Sequence, residues 1–224
     1  MLAATVRGRF GGRNRAAFEP RYDARMSETE RPAARPMLRG ERVWLRPIEP
    51  GDVVEDSQMA NDAEIGHFLG AKQPMSRAGA ERMGAAIMSQ VGETGYPFAI
   101  CLLGTQQSIG TIFLRSVDKV NGSGEVGIFV GDQRYLGQGY GTDALNALVD
   151  FGFGELRLER IELHVFDYNA RARRSYEKAG FAVDAVLRHD RFHRGAFHDV
   201  LNMSILRDDW AALTRPRAWD LTGP

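Results

Sequence analysis

The chain has 224 residues, 43% of them hydrophobic, with 29 basic and 29 acidic side chains and a formal charge of zero. That length and apolar content support one substantial core, and the balanced charge argues against general binding to nucleic acid or to an anionic membrane. There is no run of 18 apolar residues to span a bilayer, and the single cysteine, Cys101, excludes an internal disulfide and a thiolate metal cluster.

The first 36 residues stand apart. They carry Arg7, Arg9, Arg13, Arg15, Arg21, Arg25, Arg31 and Arg35 among glycines and prolines, with almost no apolar periodicity. Such a segment cannot bury enough surface to offset its ordering entropy. It also lacks the apolar stretch of a secretory signal. An organelle transit peptide is an alternative, since the first acid is Glu19. The expected organisation is a disordered extension over 1–36, one domain over 37–212 opened by Met37 or Met26, and a tail over 213–224. The expected location is the cytoplasm.

In chain order, Glu41 to Pro47 alternates Val43 and Leu45 with Arg42, Trp44 and Arg46, a first strand. Asp52 and Glu55 form a candidate capping box behind Pro50-Gly51, for a helix running towards Asn61. Asn61 to Met75 is a loop or short broken helix, a type of segment that often faces substrate. Ala80, Met83, Gly84, Ile87, Met88 and Val91 recur at helical spacing behind Ser76. Strands follow at Phe98–Leu103 and Ser108–Ser116, joined by the turn 104–107, and Asn121-Gly122 marks a reversal before a fourth strand at Glu125. The apolar run Phe98 to Leu103 makes Cys101 a buried structural thiol.

The stretch Gly124 to Phe153 is the most informative. Val126, Ile128, Phe129 and Val130 end at Gly131-Asp132, a glycine-punctuated loop follows, and then Ala144, Leu145, Leu148 and Phe151 mark an amphipathic helix. A helix start leaves backbone N–H groups without intrahelical partners beside a partial positive charge. Gly137, Gly139 and Gly141 leave them uncovered, which suits a phosphate or pyrophosphate. A Walker loop needs a lysine before Thr142, and none is there; the dinucleotide spacing G-x-G-x-x-G is not met by G-x-G-x-G. A glycine cluster without a ligand stays open on these residues alone.

Arg160 to Phe166 alternates as a fifth strand. A helix begins at Asn169, a good cap residue, and ends at Gly180. Strands Phe181–Arg188 and Phe197–Leu206 are joined by the polar segment His189–Ala196. Antiparallel strands followed by a βαβ crossover imply an α/β (α+β) domain: a mixed, mostly antiparallel sheet of about seven strands with helices on both faces.

The run Arg134-x-x-Gly137-x-Gly139 resembles the acyl-CoA pyrophosphate loop (Q/R-x-x-G-x-G/A) of the Gcn5-related N-acetyltransferases. Asn169 with Tyr176-Glu177-Lys178-Ala179-Gly180-Phe181 resembles that family's second signature. Leu38 to Pro47 and His198-Asp199-Val200 resemble the branch that includes ribosomal-protein N-terminal acetyltransferases. The similarity covers about Leu38 to Trp210.

The resemblance implies splayed fourth and fifth strands, with the unpaired edge at Ile128, Phe129 and Val130 bonding the pantetheine arm like an added strand. It implies acetyl-CoA as co-substrate, no metal, and a cofactor site drawn from Arg134, Gly137, Gln138, Gly139, Tyr140, Gly141, Thr142, Asn169 and Arg173. Asn169 can equally act as a helix cap alone. Arg171, Arg173, Arg174 and Lys178 add positive charge suited to a 3′-phosphate, each alternatively a solvated helix charge.

An ammonium has no lone pair, so acyl transfer to an amine needs a base; the resemblance points to Glu125, whose alternative role is a polar strand residue. It gives Tyr176 as the acid that protonates the departing thiolate. The acceptor is a protein N-terminus or a small amine, with no nucleic acid or membrane partner, and a homodimer is one assembly open to the chain. A non-catalytic acyl-CoA-binding sensor or scaffold is the alternative function. His189, His193 and His198 match no zinc spacing; they line the acceptor end or lie at the surface.

Overall fold

The computed structural model describes residues 36–221. All but the last residue of the expected N-terminal extension therefore lies outside the described residues. These form strands β1 Leu38–Arg39, β2 Val43–Pro47, β3 Tyr96–Leu102, β4 Ser108–Asp118, β5 Ser123–Val130, β6 Arg160–Phe166, β7 Ala182–His193 and β8 Ala196–Leu206. The helices are α1 Pro50–Met59, α2 Ala63–Leu69, α3 Arg77–Ser89, α4 Tyr140–Gly154, α5 Ala170–Lys178, α6 Arg207–Ala212 and α7 Ala218–Leu221. One sheet holds the eight strands in the order β1-β2-β3-β4-β5-β6-β8-β7, with every neighbouring pair antiparallel except β5 and β6.

Helices cover both faces, and local chemistry sets their ends. The α4 side chains Leu145, Leu148 and Phe153 are buried in the main core with Ile112 and Leu114 of β4 and Ile161 of β6. On the opposite face, α1 packs on α3 and β4, and Gly84 lets α3 approach Val53 closely. Asp62 accepts from the amides of Glu64 and Ile65 to start α2, and Gly70 (φ 67°) ends it in the left-handed conformation. Asn169 accepts from the Ala172 amide at 3.1 Å, and Gly180 (φ 97°) follows the end of α5.

Four sequence expectations need adjusting. The eighth strand is β1, a two-residue edge pairing Leu38 with Leu45 and Arg39 with Trp44, too short to alternate visibly. Asp52 is not the cap of α1 but its third residue, accepting from the Glu49 amide at 2.8 Å. The polar segment 189–196 is mostly strand: β7 runs to His193 and β8 starts at Ala196, leaving Arg194-Gly195 as the turn. Both faces of β7 are largely exposed, so polar residues cost little there. The tail expected from residue 213 carries α7, whose Ala218 is buried in the main core.

The parallel ladder between β5 and β6 has three register pairs, Ser123 with Arg160, Gly124 with Ile161 and Glu125 with Glu162. Beyond Glu125, β5 continues to Val130 paired only with β4 on its other side, so the sheet opens along the second half of β5.

Candidate active site

A cavity of about 570 Å³ runs through this opening. Its walls come from both faces because β5 and β6 alternate. Val126 and Val165 point towards the main core, whereas Glu125 and His164 point to the face covered by α1 and α2. Ile128, Phe129 and Val130 line the cavity along the unpaired β5 edge, with Gly137, Gly139, Gly141 and Thr142 at one end and Glu125, Tyr176 and Asn169 also in the lining.

The glycine loop is open. A Cβ built on Gly137 (φ 72°) would meet nothing within 4 Å, and one on Gly139 (φ 88°) only the Arg42 guanidinium at 3.4 Å. No side chain caps the first turn of α4. An open, positively polarised helix start beside Arg171, Arg174 and Lys178, which also line the cavity, fits a pyrophosphate with a further phosphate. The unfinished β5 edge fits an extended amide-bearing arm.

Four expected cofactor contacts are not in the lining. Arg134 turns away to bind Asp132. The Gln138 side chain folds back onto the Arg134 carbonyl, while its own carbonyl accepts from Arg42. Tyr140 lies under the Arg42 guanidinium, 4.9 Å from the ring centre. Arg173 pairs with Glu177 at 2.8 Å on the outer face of α5. Helical geometry turns successive residues by 100°, so when Ala172 and Tyr176 face inward, Arg173 does not. The loop is braced instead by Arg42 and by Asp143, which accepts from the amides of Glu41, Arg42 and Val43 at 2.9–3.0 Å. Neither brace has a local sequence signal, since each spans about a hundred residues.

Glu125 is held by Arg115 of β4, and the Nδ1 of His164 lies 3.6 Å from its Oε1. Burial pushes this carboxyl up, but the hydrogen bond and charge of Arg115, helped by His164, outweigh burial and hold it below the usual carboxylate range. Tyr176 is 9% exposed, and burial pushes its phenol up to about 12, so the hydroxyl stays protonated at any working pH. The α2 side of the cavity is walled by Ile65, Phe68 and Leu69 of α2, Phe113 of β4 and Phe166 of β6.

The short helix α2, within the segment expected as a loop or short broken helix, is fixed to the β7–β8 hairpin. His67 Nδ1 lies 3.0 Å from His193 Nε2, and the Tyr168 hydroxyl donates to the His67 carbonyl at 3.1 Å. Of the three hairpin histidines, His193 is thus buried in this latch, and His198 sits 3.5 Å from Asp167. Cys101 is buried away from the cavity; burial pushes its thiol up, against an opposing pull from Arg46.

The family description Acetyltransferase (GNAT) domain matches residues 42–182. The Bacillus licheniformis protein p20, named an uncharacterized N-acetyltransferase, is 27% identical over 76% of this chain and 96% of its own. The Vibrio cholerae spermidine N(1)-acetyltransferase is 30% identical over 46% of this chain and 58% of its own. The Bacillus subtilis protein YdaF, provisionally named a ribosomal N-acetyltransferase, is 30% identical over 45% of this chain and 55% of its own. A crystal structure of the Vibrio cholerae spermidine N-acetyltransferase with CoA and spermine superposes with a TM-score of 0.68 at 25% identity, covering 75% of this chain and 98% of that one.

Proposed function

The chain belongs to the GNAT acetyltransferase family and is an acetyl-CoA-dependent N-acetyltransferase of amines; on that premise we propose that its acceptor is the α-amine of a peptide N-terminus, with Glu125 serving as base and Tyr176 as acid. The supporting observation is the cavity through the open sheet, which carries the glycine loop at one end and both Glu125 and Tyr176 in its lining.

In this reading the amides from Gly137 to Thr142 hold the pyrophosphate, and the edge from Ile128 to Val130 aligns the pantetheine arm. The cavity crosses the sheet, so an amine arriving from the α2 face meets Glu125, while Tyr176 reaches the sulfur from the other side. Glu125 takes a proton from the ammonium, directly or through water, and the freed lone pair attacks the thioester carbonyl. As the C–S bond breaks, the Tyr176 phenol donates to the sulfur.

Charge supports a peptide acceptor. Glu125 is the one acid among the described residues lining the cavity, and Arg115 already compensates it; Arg171, Arg174 and Lys178 add positive charge. A polycation gains nothing from such a field, whereas a monoamine flanked by carbonyls and a small apolar side chain suits the α2 wall. The second reading is a polyamine acceptor, which the spermidine named for the Vibrio cholerae relative favours. Thiol release from acetyl-CoA, measured with short unblocked peptides and with spermidine and spermine, separates the two. Faster turnover of polyamines than of every peptide refutes the first reading; CoA binding without turnover of any amine leaves a non-catalytic acyl-CoA module.

A further inference from the structure

Taking the acid–base assignment above as its basis, we propose that His164 is the positioning residue that receives the amine's proton from Glu125, the two side chains forming a carboxylate–imidazole relay at the closed end of the sheet opening.

Geometry carries the idea. His164 stands on β6 two residues past the last β5–β6 register pair, and Glu125 is the β5 member of that pair. Both side chains line the same cavity, with Nδ1 and Oε1 3.6 Å apart. On the far side of the ring, Nε2 lies 3.2 Å from Asn202 Nδ2 of β8, and the buried Asn202 Oδ1 has no hydrogen-bond partner. A carboxamide carries a donor and an acceptor on one pivot. Turning it over brings Oδ1 to Nε2, so Asn202 can serve the ring whether Nε2 carries a proton or a lone pair. With the carboxylate on one side and this pivoting amide on the other, the ring keeps a hydrogen-bond partner at Nε2 in both of its charge states.

Chemistry explains why a second acceptor is needed. Handing a proton from an α-ammonium, ordinarily near 8, to a carboxyl ordinarily near 4.3 is uphill by nearly four decades, and Arg115 makes this carboxyl a weaker base still. Passing the proton on to an imidazole recovers most of that loss. The balance is simple: the ammonium loses one proton, Glu125 returns to its carboxylate, and His164 becomes the imidazolium. The nitrogen lone pair then forms the new C–N bond as the C–S bond breaks, Tyr176 protonates the departing sulfur, the nitrogen's second proton restores the phenol through solvent, and His164 releases its proton to solvent. The other groups around the ring are Glu162 beside it on β6, paired with Arg160, which also binds Asp184 of β7, and Arg115 behind Glu125. From α2 the cavity receives Ile65, Phe68 and Leu69, none of them charged.

The test is the pH dependence of kcat/KM from pH 5 to 9 in wild type, His164→Gln and Glu125→Gln, paired with NMR titration of the His164 ring. Wild type should show an acid limb whose midpoint coincides with the ring's NMR midpoint. His164→Gln should lower kcat/KM about 10–100-fold at pH 7 and abolish that limb, with acetyl-CoA affinity unchanged within about twofold. Glu125→Gln should move that NMR midpoint, because the carboxyl group facing Nδ1 no longer carries charge. An acid limb that survives in His164→Gln overturns the proposal. So does an NMR midpoint indifferent to Glu125→Gln, a result that stands without any turnover. Failure of all peptides and polyamines to turn over would instead count against the acceptor reading.

Discussion

Removing the Asp150 carboxylate should be among the most damaging single changes outside the active site. Asp150 lies on α4, is 1% exposed, and accepts from Trp210 Nε1 at 2.7 Å, from both terminal nitrogens of Arg215 at 2.8 Å and from the Ala218 amide at 2.8 Å. Breaking a buried pair from one side leaves the partner charge desolvated and costs about 3–5 kcal/mol. Arg215 retains some exposure, which places Asp150→Ala near 3 kcal/mol and Asp150→Asn somewhat lower, since the amide oxygen still accepts one bond. Urea unfolding followed by tryptophan fluorescence reads this directly, because Trp210 touches the site. A double-mutant cycle with Arg215→Ala should return a coupling of about 2 kcal/mol. A loss under about 1 kcal/mol for Asp150→Ala, or additive single effects, would refute the idea that this carboxylate ties the C-terminal segment to α4.

Four shorter predictions accompany it. Burial pushes Asp56 up to about 7, with the Thr111 hydroxyl bond opposing. Between about pH 4 and 7 the folded chain then holds a proton the unfolded chain has released, so stability should fall as pH rises through that window, by at most about 4 kcal/mol; Asp56→Asn should flatten the slope in denaturation curves taken at pH 5 and 8. Gly139→Val forces a branched side chain to φ 88° and covers the loop amides, so KM for acetyl-CoA should rise at least about tenfold; an unchanged KM removes the loop from phosphate binding. Tyr176→Phe should lower kcat about 10–100-fold with little change in that KM, and equal loss in both parameters would point to a packing role. Cys101→Ala should keep near-wild-type turnover in the same assay, whereas loss of activity would signal an acyl-cysteine route.

Local signals made much of the architecture readable. Arg160 to Phe166 alternates cleanly and is β6 residue for residue, and Asn169 and Gly180 mark the ends of α5 because capping is a short-range interaction. What failed to show was decided at long range or by very short elements. Nothing near Ala218 announces that it is buried, since Asp150 lies 68 residues away. The segment Asn61–Met75, expected as a loop or short broken helix, holds the short helix α2, whose bounds are set by Asp62 and Gly70. In the site, the positions facing the cavity followed from strand alternation and helix phase, which carry Ile128, Tyr176 and Thr142 inward. Arg134, Gln138, Tyr140 and Arg173 turn elsewhere because their side chains find nearer partners. His164 could have been flagged from its place on the polar side of a strand that ends beside the glycine helix, but only the fold sets it against Glu125.

The opening between β5 and β6 has a mechanical consequence. Five strands lie on one side of it and three on the other, and within the sheet only the three register pairs beginning at Ser123 join them. An acyl carrier lying along Ile128 to Val130 would act as a missing plank, bridging the two blocks by main-chain bonds. Bound carrier should therefore slow deuterium uptake at those β5 amides and stiffen β6, β8 and β7 relative to the rest.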